Sequence, residues 1–489
     1  MCTVRGEGVI VSPAKCPWFT IGANGALAEG KKSFVRHTGT PTERDRRNAK
    51  NGPNDPSEPP ALRRSPPLTC VHVVTNHPFV PLRHRAVRLL WGAAVVSDVG
   101  TWVQLIVVGS LVAASTGSAI QTGLVALATF TPQALASPVG GLLADRFDRR
   151  KVFAGALMVQ ALVTAVLAVT LGMGIRTPVV LILLILFASA AGAVGAPAYA
   201  AMLPDLVSPE EFLAMVSLGV YSWNSGRIIG PLVGTALALT VGPAWTIAFN
   251  AVSFVVLAAA VALVRRPFPA GRSEGSIVNR LVGGLKTARF TPGCWHGIAL
   301  LVLFNLTVVP FMGLIPIYAR SEFGGGTGLA GMVASAQGVG AIIGGITVTV
   351  LAHRHPRSLL VGRLIMMSAV GLGLYAAAPD AVWVVCASAL LGGAAAGLYI
   401  SSSTIVQRDS PPASRGRVMS IMQSAQGVSY GIGLLFIGSI GDATNLHLAF
   451  GVGAVLLLVG FGLLTLRSRH WRAAIDGHET GRRATVALA

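Results

Sequence analysis

The sequence predicts an all-α membrane protein of twelve transmembrane helices in two six-helix halves, with both termini on the cytoplasmic side. Three observations carry this prediction. Apolar runs of about 20 residues, long enough to cross a bilayer as helix, recur from residue 89 onward. Basic residues gather in every second connector, and one longer connector, 265–290, divides the runs six and six.

Composition fits a lipid-covered surface. Of 489 residues, 53% are hydrophobic and only 12% charged, with a mean hydropathy of +0.66. Soluble domains carry about 25% charged residues. Fifty-eight glycines agree, since small residues let transmembrane helices approach closely. The net charge of +19 would suit nucleic acid if it were gathered on one face. Eleven of the 38 Lys and Arg precede Leu82, however, and most of the others sit in short connectors. That distribution reports topology, and no nucleic-acid partner is expected. The five cysteines (Cys2, Cys16, Cys70, Cys294, Cys386) are odd in number and scattered. With only the weak His353–His355 pair beside them, neither a disulfide frame nor a metal site is expected.

Each segment follows in order. Residues 1–81 are polar and rich in Pro and Arg, without an apolar core for a signal peptide, and are expected to be disordered. No Met occurs between Met1 and Met158, so an over-extended gene start with a non-Met initiator near 71–80 is an open alternative. The predicted spans are 89–113, 120–143, 152–174, 178–203, 212–240 and 244–264 in the first bundle, 82–264. Those of the second, 293–470, are 294–318, 328–351, 359–377, 381–405, 418–440 and 447–466. Twenty-two Lys and Arg fall on the side shared by the termini and two, Arg176 and Arg320, on the other. Positive charge marks the cytoplasmic side, which places both ends inside.

The cytoplasmic linker, 265–292, has Ile277, Leu281, Leu285 and Ala288 at helical spacing and predicts an interfacial amphipathic helix. Residues 471–489 form a cytoplasmic tail. A faint repeat relates the halves: Gly140-Gly141 and Gly344-Gly345 each precede a cytoplasmic loop at an offset of 204. Paired repeats with a midplane site are a feature of secondary transporters.

The most specific string is Gly141-Leu-Leu-Ala-Asp145-Arg146-Phe-Asp148-Arg149-Arg150-Lys151. It resembles the loop signature between spans two and three of the major facilitator superfamily, with Asp148 where the pattern more often has Gly. Gly141 is expected to allow close packing, Asp145 to face a helix N-terminus, and Arg146, Arg149 and Arg150 to pair across the seam between halves. Gly226-Arg227-Ile-Ile-Gly230-Pro231-Leu-Val-Gly234 in span five resembles the antiporter motif of drug exporters. There Gly226, Gly230 and Gly234 offer a flat strip and Pro231 permits a kink. Ala196-Pro-Ala, Leu203-Pro-Asp-Leu-Val-Ser-Pro-Glu-Glu, Phe249-Asn-Ala-Val-Ser-Phe and Arg415-Gly-Arg-Val-Met-Ser resemble the third drug:proton antiporter branch, which holds enterobactin and macrolide exporters. The resemblance implies the major facilitator fold, alternating access and efflux driven by the proton gradient, with no cofactor. It also implies a small-molecule substrate, a monomer, and a multi-pass location in the bacterial inner membrane. Other branches carry an intramembrane Arg four residues before a span-four Gly; here Ala188 precedes Gly192, so their proton relay does not transfer.

Two charges remain in mid-span, Asp98 and Arg227. An ion there costs about 2.5–3.5 kcal/mol and is by default functional. Their depths from the cytoplasmic side are about 15 and 22 Å at 1.5 Å per residue. Asp98 is expected to alternate between a protonated state and a charged state paired with Arg227; a static ion pair is the alternative. Asn224, Trp102 and Gln133 are further cavity candidates, with Gln104, Tyr221, Asn305, Gln337 and Gln426 behind them. Arg415 and Arg417, opening span eleven, are expected to meet Asp145 when the inner side closes. No nucleophile–base pair or P-loop is present, so neither an enzyme nor direct use of ATP is expected. Export of an amphipathic drug, siderophore or metabolite is the leading expectation. A lysolipid or lipid flippase and a non-transporting membrane sensor are the alternatives.

Overall fold

Helix is the form in which a chain can satisfy its backbone within lipid, and every element of the computed structural model is helical. The structure describes residues 79–264, 277–352, 354–411, 414–467 and 471–476, and contains no strand among them. The expected disordered segment, apart from its last three residues, lies outside the described residues, as do 265–276 of the linker and 477–489 of the tail.

The first set of helices comprises α1 (Arg85–Thr116), α2 (Ala119–Phe130), α3 (Pro132–Arg146), α4 (Arg149–Gly172), α5 (Pro178–Met202), α6 (Phe212–Thr240) and α7 (Pro243–Leu263). Next come the linker helix α8 (Ile277–Phe290), then α9 (Pro292–Thr307), α10 (Pro310–Ser321), α11 (Thr327–Leu351) and α12 (Arg357–Ala376). The chain ends with α13 (Ala381–Asp409), α14 (Arg415–Ala443), α15 (Leu446–Arg467) and the short α16 (Trp471–Asp476). Local chemistry sets the boundaries. Gly117 ends α1 in the left-handed region at φ 63°, and Ser118 then caps α2 by accepting from Gln121 N at 3.2 Å. Proline, which lacks an N–H, opens α3, α5, α7, α9 and α10. Pro132 and Pro310 thereby split the expected spans 120–143 and 294–318 into α2–α3 and α9–α10.

Among the described residues, nine segments are long and apolar enough to cross a membrane. The expected spans 120–143, 212–240 and 418–440 are helical too, but α2 and α3 are individually short, and neither they nor α6 or α14 belong to the nine. Three of these helices, α3, α6 and α14, supply polar residues to an internal chamber described below. Their reduced apolar character therefore has a structural reason.

Packing repeats between the sets. α1 pairs with α6, α3 with α5 and α4 with α7; correspondingly α9 pairs with α14, α11 with α13 and α12 with α15. The α3–α5 and α11–α13 pairs use the repeated glycines. A Cβ on Gly140 would strike the Val194 carbonyl, and one on Gly344 would strike the Gly393 backbone. Gly141, expected to be the packing residue, faces open space instead: a Cβ there would meet nothing within 4 Å. One residue along a helix turns the Cβ by about 100°, so only the first glycine of the pair meets α5.

Buried polar contacts fix individual helices. Asn250 of α7 donates to Gln104 of α1 at 2.8 Å, and Ser253 donates to the Asn250 carbonyl at 2.7 Å. A Cβ on Gly100 would overlap the Asn250 side chain, which gives the Phe249-Asn-Ala-Val-Ser-Phe string a packing role. Helix α16 folds back onto the bundle: Asp476 accepts from Ser358 N at 2.8 Å and Ser358 Oγ at 2.7 Å. This caps α12, whose own N-cap, Pro356, has no acceptor side chain. At the start of α6, the buried Glu211 receives Arg83 Nη2 at 2.8 Å and His84 Nε2 at 2.9 Å, tying the starts of α1 and α6 together.

The hydrogen bond from His84, with the positive Arg83 beside it, holds the Glu211 carboxyl below its ordinary value, against the opposing effect of burial. A depressed carboxyl stabilises the fold above the ordinary glutamate value of about 4.3 and loses that contribution as pH falls through its folded-state value. Glu211→Gln is therefore expected to melt below the wild type at pH 7. The gap should narrow as the pH is lowered past that value, as read by thermal unfolding of the purified protein in detergent.

Candidate functional site

Between the two helix sets lies a chamber of about 1550 Å³. At its open end it is bordered by Asp145, Arg149, Gly416 and Arg417. At its inner end it stops at aromatic rings. Trp223 of α6 meets Trp102 of α1 at 5.6 Å between centroids, Trp102 meets Phe130 of α2 at 5.9 Å, and Phe130 meets Tyr430 of α14 at 6.0 Å. Beyond this layer the sets interlock around a residual space of only about 20 Å³, lined by Trp102, Gln337 and Pro231 among others. Such a volume holds about one water.

The close approach of α6 to α1 shapes the chamber wall. A Cβ on Gly226 would lie 2.8 Å from the Asp98 carbonyl carbon, one on Gly230 2.5 Å from Trp102 Cβ, and one on Gly234 3.1 Å from Val103 Cα. Pro231, within α6, adjoins the small space beyond the aromatic layer. One turn before Gly226, Ser222 donates its hydroxyl to Asp98 Oδ2 on the chamber wall.

Asp98 and Arg227 are not brought together in this conformation. Arg227 Nε donates to Gln337 Oε1 of α11 at 3.3 Å, and the guanidinium lies over the Trp102 ring, 6.0 Å from its centroid. The expected ion pair is therefore absent here. The physical reason is angular: the Gly226 position packs on the α1 backbone, so its neighbour Arg227 turns away toward α11. Asn224, expected to share the cavity face, bonds to its own helix at the Val220 carbonyl, 2.8 Å away, and does not line the chamber.

Of the other expected residues, Gln133, Asn305 and Gln426 line the chamber. Trp102 lies in the aromatic layer, Gln337 beyond it, and Gln104 inside the first helix set. Tyr221 stacks on Phe79 at 5.8 Å outside the chamber. The basic loop works within the first helix set: Arg149 Nη1 donates to the Ala201 carbonyl at 3.0 Å and lies 3.6 Å from Asp205, while Arg150 Nη1 donates to the Val264 carbonyl at 2.8 Å. These two arginines staple the start of α4 to the ends of α5 and α7, where pairing across the seam was expected. Arg146 and Arg415 are exposed. Arg417 borders the chamber mouth, and its backbone packs against Gly284 of α8.

Sequence reasoning missed Ser222, Gln160, Tyr199, Gln423 and Tyr430, all on the chamber wall. Ser222 had a signal. Counting back four from Gly226 extends the small-residue strip to Ser222–Gly226–Gly230–Gly234 and puts the hydroxyl on the face that meets α1. Asp148 was read as a departure from the loop pattern; it is the N-cap of α4, accepting from Arg150 N at 2.9 Å and Lys151 N at 3.3 Å.

This architecture, a helical bundle in two similarly packed sets around a chamber of mixed apolar and polar lining, is that of a membrane transporter. The chain belongs to the transmembrane secretion effector family of the major facilitator superfamily, whose family pattern it matches over residues 76–480. It is 25% identical to macrolide efflux protein A of Streptococcus pyogenes, over 76% of this chain and 92% of that protein. It is 26% identical to the multidrug efflux pump Tap of Mycobacterium tuberculosis, over 78% and 92% respectively. It is 28% identical to the enterobactin exporter EntS of Salmonella paratyphi A, over 78% and 91%. Among solved structures, the nucleoside transporter NupG matches with a TM-score of 0.61 at 14% identity, over 78% of this chain and 98% of that one. A bacterial homologue of the iron transporter ferroportin, in an inward-facing state, matches with a TM-score of 0.59 at 16% identity, over 79% and 98%. These two show the fold alone.

The cap at Asp148 yields a graded expectation. Asp148→Ala should cost about 1 kcal/mol of stability and Asp148→Gly only a few tenths, because glycine is tolerated at an N-cap. Thermal unfolding midpoints of the two variants, ordered wild type, Gly, Ala, would check it.

Proposed function

We propose that this chain is a secondary transporter of the cytoplasmic membrane that exports a small amphipathic molecule by proton antiport and alternating access. In this reading it spans the membrane twelve times as two six-helix bundles, 82–264 and 293–470, joined by a cytoplasmic linker, with both termini inside. The charge distribution supports the orientation: 22 basic residues lie on the side of the termini and two on the other. On that assignment the chamber opens to the cytoplasm, and the aromatic layer and the interlocked helices beyond it form the closed outer gate.

The observation that carries the reading is the one-ended chamber with Asp98 on its wall. At about 1550 Å³ it exceeds the 300–1,000 Å³ of ordinary small-molecule sites. Bulky ligands such as a macrolide or enterobactin, the compounds named in the relatives, fit that scale. Its wall mixes aromatic faces (Phe130, Trp223, Tyr430) with amide groups (Gln133, Gln160, Gln423, Gln426). Rings contribute apolar contact area and amides adaptable hydrogen bonds, a combination suited to amphipathic cargo of varied shape.

Asp98 is the proton-coupling residue in this scheme. Reached from the chamber, it binds a proton or a substrate group while Ser222 holds its carboxylate. Arg227 lies over the Trp102 ring and bonds Gln337, so the two charges pair only in another conformation. The energy source is the proton gradient, and no cofactor takes part.

Two measurements test this. Asp98→Asn, expressed at normal membrane levels, should lower energised efflux of a transported dye or macrolide at least about tenfold while leaving the protein folded; undiminished transport removes Asp98 from the coupling. Trp102→Ala should join the chamber to the small space beyond it and raise passive, gradient-independent leak of the same substrate, measured in de-energised vesicles.

A further inference from the structure

The closed end of the molecule is held by a carboxylate that crosses between the helix sets. Asp442, in the last turn of α14, accepts Ser118 Oγ at 2.7 Å and Ile120 N at 3.1 Å through Oδ2, and Ala119 N through Oδ1. Ser118 is the N-cap of α2, and Ala119 and Ile120 are its first two residues. N–H groups in a first turn have no carbonyl of their own helix to reach, and the positive end of the helix favours an anion. A single side chain of the second set thus satisfies the first turn of a helix in the first set.

Small residues make this approach possible. A Cβ on Gly438 would lie 3.3 Å from Ile120 Cα, and one on Gly441 3.3 Å from Ala119 Cβ. The same α2–α14 seam carries Phe130 and Tyr430 of the aromatic layer, about 16–18 Å along the helices from Asp442 at 1.5 Å per residue. The seam therefore has two closures, an aromatic one at the chamber end and a charged one at the outer end. Neighbouring Glu322 and His447 face each other at 3.3 Å, and Glu322 also accepts from Leu446 N at 3.4 Å, so these charges are engaged within the second set.

Asp442 is exposed. When the seam parts, water can replace each lost hydrogen bond to the carboxylate and to the freed N–H groups. The contact is therefore an exchange of partners, strong enough to bias a conformation and weak enough to release. A buried ion pair at the same place would leave uncompensated charge on opening.

We propose that Asp442 is the outer-gate latch: by capping α2 from α14 it holds the outer side closed and favours the state whose chamber opens to the cytoplasm. This rests on the alternating-access reading above. Asp442 acts through α2 and is a positioning residue; it touches no cargo.

The test uses the full-length chain with its five native cysteines replaced by serine. Two single-cysteine reporters are added, each combined with Asp442→Asn. Ala126→Cys sits in the closed seam, 1% exposed, and Ser420→Cys is exposed on the chamber wall. In permeabilised membranes, a thiol reagent should label the Ala126→Cys reporter about tenfold faster when Asp442→Asn is present, since charge-assisted hydrogen bonds are lost. The Ser420→Cys reporter should label more slowly. Asp442→Glu should restore part of the wild-type pattern, and Ser118→Ala, which keeps both backbone donors, should shift it less. Faster labelling at both reporters would mean general loosening and would overturn the latch, as would no change at either. Opposite shifts at the two reporters in a protein that exports no tested compound would uphold the latch and count against the exporter reading instead.

Discussion

The backbone approach of α6 to α1 along Ser222, Gly226, Gly230 and Gly234 is the contact on which the rest of the structure depends. In lipid no hydrophobic force drives helices together, so packing through small residues must do so. The same strip decides what each neighbouring side chain can reach. Ser222 meets Asp98 on the chamber wall, Trp102 packs its ring edge on Gly226 and its Cβ on Gly230 as the ring enters the aromatic layer, and Arg227 is turned toward Gln337. A side chain larger than hydrogen at Gly226 or Gly230 would push α1 outward and disturb all three positions at once.

The chamber and the closed seam are two consequences of one arrangement. α6 with α11, and α2 with α14, form the main contacts between the helix sets. Beyond the aromatic layer these contacts carry hydrogen bonds: Thr235 to the Thr327 carbonyl at 3.0 Å, Ser335 to the Ile228 carbonyl at 2.8 Å, and Asp442 to the start of α2. On the other side of the layer α2, α6 and α14 line the chamber, with Phe130, Trp223 and Tyr430 as rings and Gln423 and Gln426 of α14 as amides. Groups that bridge at one end and line a space at the other are what the proposed alternating access requires. This is also why α3, α6 and α14 are less apolar than their neighbours.

Family membership supplies a fold and a general activity; the side chains supply the particulars. The match over residues 76–480 places the chain among secretion effectors. In α5 Ala188 is buried, and the Gln160 amide lies against Gly192, one turn further on. The polar environment at that level is neutral, which leaves Asp98 as the charged group on the chamber wall between the aromatic layer and the mouth. The loop signature likewise takes a local form: Asp148 caps α4, and Arg149 and Arg150 bind carbonyls at the ends of α5 and α7. Basic residues that look like a topology signal in the sequence also finish the polar accounting of helix C-termini.

Much of this was legible from the sequence because lipid imposes strong local rules. Apolar length gave the helices, glycine and proline gave the strip and the breaks, and the cost of a mid-span ion singled out Asp98 and Arg227. What sequence could not settle was direction around each helix axis. Asp98 and Arg227 have similar depth, yet the rotation of α6 set by its glycines turns them apart. Gly140 and Gly141 are adjacent, yet only one meets α5. Asn224 shares a face with Arg227 and so leaves the chamber with it. Asp442, 324 residues from Ser118, looked like an ordinary loop-end acid until the two helix sets were packed together. Spacing along the chain determines which residues share a depth in the membrane. Which of them share a space is decided by the azimuth at which helices lock, and that is fixed by contacts with helices far away in sequence.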